Sequence, residues 1–182
     1  MTSAMRYSTP AIVLHWLVAL LIFVAFPLGV YMHELPLSPG KLKLYSYHKW
    51  IGITLLMLVA LRVTWRLTHT PPPLPADMAA WQRRASQAVH GLLYLLMIAI
   101  PLSGWLMSSA KGFPTVWFGV LPLPDLVEKN RELGDFLAGV HQALNFTLLA
   151  LVIMHVGAAL QHHFIERRPF LQRMGWNKKE RT

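Results

Sequence analysis

Apolar residues fall in four long blocks, at 11–32, 44–67, 83–107 and 134–164, separated by stretches rich in Pro, Gly and charge. At about 1.5 Å per helical residue, even the shortest block spans about 33 Å, enough to cross a hydrocarbon core of about 30 Å. Ser8-Thr9-Pro10 precedes the first block and supplies a Ser or Thr N-cap with Pro in the first turn. Pro27 and Gly29 are where this helix is expected to kink or end, and Pro36-Leu37-Ser38-Pro39-Gly40 predicts a turn. Arg62 and Arg66 close the second block one turn apart and can snorkel to the membrane surface. Pro71-Pro72-Pro73-Leu74-Pro75 predicts a stiff, extended linker. Pro101 and Gly104 interrupt the third block, a break that membrane helices tolerate when neighbours satisfy the freed backbone groups. The 108–133 connection carries Trp117, Phe118, Pro122 and Pro124 and predicts a segment lying at the interface. The pattern predicts an all-α, integral-membrane four-helix bundle, one membrane domain over residues 1–182 with a basic tail from 165.

Composition agrees with a lipid solvent. Hydrophobic residues make up 54% of the chain and charged residues 14%, with a mean hydropathy of +0.41, which is too apolar for an ordinary soluble domain. The absence of cysteine excludes disulfides, thiolate metal sites, iron–sulfur clusters and covalent haem attachment. A net charge of +9 would suggest nucleic acid in a soluble protein; here the basic residues sit at the ends of apolar runs, so no nucleic-acid partner is expected. No cleavable leader is expected either, since the first block is too long for a signal-peptide core and lacks a small-residue cleavage site after it.

Lys and Arg also predict orientation. The N-terminus, the linker between blocks two and three, and the C-terminus together hold eleven of the 17, including Arg6, Arg62, Arg66, Arg167, Arg168 and Arg173. The opposite side holds the other six: Lys41, Lys43, Lys49, Lys111, Lys129 and Arg131. Positive charge favours the cytoplasmic side, so both termini are expected there.

Four histidines lie inside these blocks, where an ionisable side chain is costly and points to function. His15 enters early in the first helix from the cytoplasmic side, and His48 early in the second from the outside. His141 and His155 share the fourth block, 14 residues apart, about 21 Å along the axis and close to four full turns. Depth therefore pairs His48 with His141 near the outer face, and His15 with His155 near the cytoplasmic face. Two imidazoles are standard axial ligands for a haem iron, and two pairs at two depths suggest two stacked haems. Gly52 and Gly157 lie near these histidines and leave room for a flat macrocycle, or serve ordinary helix contact. Lys49, Arg6 and the Arg62/Arg66 pair are candidate partners for propionates. His90 lies at the depth of His15 and His155, and spacing alone leaves it open as a ligand. His162 continues the His155 stripe and is a candidate quinone residue, whereas His162 and His163 also suit a plain interface role. His33 and His69 read as surface histidines. Zinc fits poorly, because two imidazoles without a carboxylate leave its coordination incomplete.

Several segments resemble the bacterial cytochrome b561 family: Leu14-His15-Trp16-Leu17, His48-Lys49-Trp50-Ile51-Gly52, Leu61-Arg62-Val63-Thr64-Trp65-Arg66 before the proline run, His90-Gly91-Leu92-Leu93-Tyr94, and His141 with His155. The resemblance covers about residues 6 to 175, and extends more distantly to the haem-b subunits of nickel–iron hydrogenases and formate dehydrogenases. It implies a four-helix membrane bundle with two haem b groups, held by His15/His155 and His48/His141, and so sets His90 aside. It further implies electron transfer in the bacterial inner membrane, and for some members oxidation of superoxide outside with reduction of ubiquinone. Lys111, beside Gly112 and Phe113, is the candidate catalytic residue for superoxide. Competing expectations are an electron-transfer or anchor subunit serving a dehydrogenase or a periplasmic redox partner, and a histidine-based metal-ion transporter.

Overall fold

A computed structural model of the protein describes residues 6–75, 78–168 and 170–175. The rest of the basic tail, with Lys178, Lys179 and Arg181, lies outside the described residues. Four long helices carry the chain: α1 (Thr9–Glu34), α2 (Pro39–Thr68), α3 (Ala80–Ala110) and α4 (Arg131–Leu160). A two-stranded hairpin, β1 (Val116–Trp117) and β2 (Leu121–Pro122), lies between α3 and α4, and a short α5 (Phe170–Arg173) follows α4. All four long helices have the length and hydropathy of membrane spans.

Each long helix starts earlier than the apolar pattern predicts, because the caps lie in the polar flanks. Ser38 caps α2 by accepting the Lys41 N–H at 3.2 Å, so the expected Pro39-Gly40 turn becomes a first helical turn. Asn130 caps α4 by accepting the Leu133 N–H at 3.0 Å. Ser8 occupies the N-cap position of α1 without bonding its backbone, since its hydroxyl accepts from Trp65 Nε1 at 3.0 Å. Pro27 and Pro101 are carried inside α1 and α3 rather than ending them. Beyond Leu160 the ladder widens into a π-helical turn, Gln161–Ile165, where sequence predicts continuous helix.

The helices pack in order, α1 on α2, α2 on α3 and α3 on α4. Val18, Leu55 and Val59 form one buried cluster and Leu93, Leu96 and Leu148 another, with Ile22 and Met97 touching both. Side chains bridge α1 to α4: Phe26 meets Phe146 edge-on at 5.9 Å. Large apolar side chains such as Phe23 and Ile153 face outward, as expected where lipid is the solvent.

Both ends are tied. At the end carrying the described termini, Arg173 is buried and donates to the Pro73 carbonyl at 2.6 Å, while Trp16 Nε1 donates to the Met174 carbonyl at 3.0 Å. At the other end, Trp50 Nε1 donates to the Val116 carbonyl at 2.6 Å, Trp117 Nε1 to Thr54 Oγ1 at 3.2 Å and Trp105 Nε1 to the Pro124 carbonyl at 3.1 Å. The expected interfacial segment is thus a hairpin strapped over the bundle, turning through Phe118 and Gly119, both with positive φ. Glycine takes that backbone freely, whereas Phe118 takes it under strain.

Candidate functional site

His15 (α1) and His155 (α4) face each other with ring centroids 6.4 Å apart and planes at 66°. His48 (α2) and His141 (α4) do the same at 6.3 Å and 84°. The two pairs occupy opposite ends of the bundle, separated by the cores described above. Two imidazoles bonded through nitrogen at about 2 Å to opposite sides of one metal ion hold their centroids roughly 6.3 Å apart. Both pairs have that separation. His90 and His155, at 5.2 Å, are too close to share an ion in this way.

Backbone and small residues shape the His48/His141 pair. His141 Nδ1 lies 3.1 Å from the Ile100 carbonyl and 2.9 Å from Ser103 Oγ, and the Ser103 hydroxyl itself donates to Ile100 at 2.8 Å. An Nδ1–H held by a carbonyl fixes the tautomer and leaves Nε2 free to bind a metal. The approach is open because Gly104 lacks a side chain: a Cβ there would stand 3.0 Å from His141 Cε1. On the facing side, a Cβ on Gly29 would stand 3.1 Å from His48 Cε1. Ser103, Gly104 and Gly29 were not singled out for these contacts by sequence. The Pro101-x-Ser103-Gly104 run was the available signal, read there only as a helix interruption.

The His15/His155 pair opens on a cavity of about 1760 Å³, also lined by Arg62, Arg66, Tyr94, His90 and His162. That exceeds the roughly 300–1,000 Å³ of ordinary ligand clefts, and the space is partly open to the surface, large enough for a macrocycle. Arg62 and Arg66 sit over the Tyr94 ring at 5.4 and 5.8 Å. His90 Nδ1 donates to the Ser86 carbonyl at 2.6 Å. The buried Nδ1 of His15 has no hydrogen-bond partner among the described residues, so its ring is not held as that of His141 is.

The other singled-out residues are placed as follows. Lys49 is committed to the loop after α3, donating to Ser108 Oγ at 3.1 Å and to the Phe113 and Pro114 carbonyls at 3.2 and 3.0 Å. It therefore serves as a strut between α2 and this loop. Lys111 caps α3 and pairs with Asp135 Oδ1 at 3.1 Å, at the same end as His48 and His141. Gly134 leaves room for its stem. Gly52 and Gly157 have open space at their Cβ positions. Among the described residues, no group of three or more His, Cys, Asp or Glu is arranged to hold a metal ion.

A family model described as prokaryotic cytochrome b561 matches residues 6–177. Cytochrome b561 homolog 2 of Escherichia coli (strain K12) is 38% identical over 171 residues, covering 93% of this chain and 90% of the relative. Cytochrome b561 homolog 1 of the same organism is 28% identical over 172 residues, covering 93% and 96%. A probable superoxide oxidase CybB of Yersinia pestis is 28% identical over 179 residues, covering 93% and 95%.

Proposed function

The chain belongs to the prokaryotic cytochrome b561 family, a multi-pass bacterial membrane haem protein of electron transport, and on that premise we propose that it carries electrons through two haem b groups between a donor at the outer face of the inner membrane and the quinone pool. The supporting observation is the matched pair of imidazole separations, 6.4 and 6.3 Å, at two levels of one bundle. In this reading His15 and His155 hold one haem, and His48 and His141 the other.

Haem iron bound by two imidazoles supplies one-electron chemistry and leaves no ready position for oxygen. The protein does the rest. Ile100 and Ser103 fix the His141 ring, Gly104 and Gly29 admit the imidazoles, and the apolar helices exclude water. Arg62 and Arg66 bring positive charge to the cavity wall and suit propionates. In this reading, which the positive-inside pattern supports, both termini are cytoplasmic and the His48/His141 end is the outer one.

Superoxide is the donor we favour, on the resemblance to the probable superoxide oxidase of Yersinia pestis and on Lys111 at the outer end. Ubiquinone is the acceptor, at the cavity that His162 helps to line. The test is reduction of ubiquinone by purified protein supplied with superoxide. A superoxide-dependent rate supports this donor. Its absence, with haems that remain reducible, would remove superoxide and leave a separate redox partner as donor.

A further inference from the structure

The π-helical turn after α4 does more than end a membrane span. It sets His162 on the wall of the 1760 Å³ cavity that also holds His15 and His155. Its C-cap residue, Glu166, then brings a carboxylate behind that ring. Glu166 Oε2 lies 3.0 Å from His162 Nδ1, a charge contact without hydrogen-bond alignment, and 3.2 Å from Arg168 Nε. Arg167, with φ 54°, turns the chain so that Phe170 lies against the His162 ring at 5.2 Å and 34°. The Glu166 side chain is 23% exposed and so reaches solvent, but it does not line the cavity; His162 stands between. Among the described residues Glu166 is the only carboxylate at this end of the bundle, and no Asp or Glu lines the cavity.

An ion pair to Arg168 alone would need no histidine. The arrangement instead runs from solvent to Glu166, to His162, to the cavity. We propose that Glu166 is a proton-relay residue that acts through His162 to deliver protons to a quinone reduced in that cavity. The inference rests on the quinone reading given above. Reduction of a quinone to its quinol consumes two electrons and two protons. The electrons come singly from the one-electron reductant at the far end, which is oxidised. Each proton passes from a His162 ring N–H to a quinone oxygen, forming an O–H bond. Glu166, once its carboxyl turns into line with Nδ1, returns a proton to the ring and recovers its own from solvent. Arg168 holds the carboxylate in place, and Phe170 holds the ring.

The experiment compares wild type, Glu166→Gln and Glu166→Asp, each as the full haem-loaded chain. Two acceptors are used: a short-chain ubiquinone, which takes up protons, and a one-electron dye, which does not. The relay predicts that Glu166→Gln slows quinone reduction by roughly a hundredfold, the scale of a lost proton transfer. Dye reduction and haem spectra stay unchanged, and Glu166→Asp recovers most of the quinone rate. The slowed step also gains a solvent deuterium isotope effect. A normal quinone rate in Glu166→Gln would overturn the relay while leaving the quinone reading intact. Equal loss with both acceptors would mark Glu166 as structural and overturn it too. A wild type that reduces the dye but no quinone would end the quinone reading itself.

Discussion

A Cβ on Gly104 would lie 3.0 Å from Cε1 of His141, so α3 is thinned where an imidazole from α4 leans on its backbone. Inside an ordinary helix, replacing Gly by Ala gains about 1 kcal/mol. Here the sign turns, because the added methyl meets a ring already held by Ile100 and Ser103. Gly104→Ala is expected to keep both haems but rotate His141, altering the low-spin electron paramagnetic resonance signal of one. Gly104→Val is expected to lose that haem and retain the other. Unchanged spectra in Gly104→Val would contradict this.

Ser103→Ala removes a hydroxyl 2.9 Å from His141 Nδ1 but leaves the Ile100 carbonyl as acceptor. The loss of one of two supporting groups is expected to weaken haem retention by about tenfold, the lower end for a partner of a metal-binding histidine. Transfer of haem to an apo-globin acceptor measures it.

Lys49→Met deletes a strut that ties Ser108, Phe113 and Pro114 to α2. Charge-assisted bonds of this kind contribute about 1.5–3 kcal/mol, so a clearly lower unfolding temperature in detergent is expected, with two haems retained. Loss of a haem at unchanged stability would make Lys49 a propionate partner instead.

The bundle and the histidine depths were legible in the sequence for a plain reason: apolar block length fixes the spans, and helical rise fixes depth along them. His15/His155 and His48/His141 come to matching separations without any local motif joining them. What sequence left out depends on tertiary approach. Gly29 and Gly104 looked like interruptions, because only the neighbouring helix shows what their missing side chains admit. The Lys49 contacts to Ser108, Phe113 and Pro114 were equally hidden, because they cross from α2 to the loop after α3, 59 to 65 residues on. The π-helical turn at Gln161–Ile165 had no periodic signature, since a single widened turn changes the phase of too few residues to register.

Lys111 and Asp135 form a partly exposed pair, 34% and 63% accessible, so the pair contributes little to stability, at most about 1 kcal/mol. Its effect is expected on encounter with an anion instead. Lys111→Ala should lower the superoxide-dependent rate several-fold, and Asp135→Asn should raise it, both differences shrinking as salt increases. Stopped-flow reduction of the haems at two ionic strengths checks this; equal rates in all three proteins would remove Lys111 from the donor site.

The most direct test is the haem-to-protein ratio, with dithionite-reduced spectra, for wild type beside His48→Leu, His141→Leu, His15→Leu and His155→Leu. Two haems are expected in wild type. His48→Leu and His141→Leu should each lose the same one, and His15→Leu and His155→Leu the other. A wild type with one haem, or a His141→Leu protein retaining both with unchanged bis-imidazole spectra, would contradict the pairing.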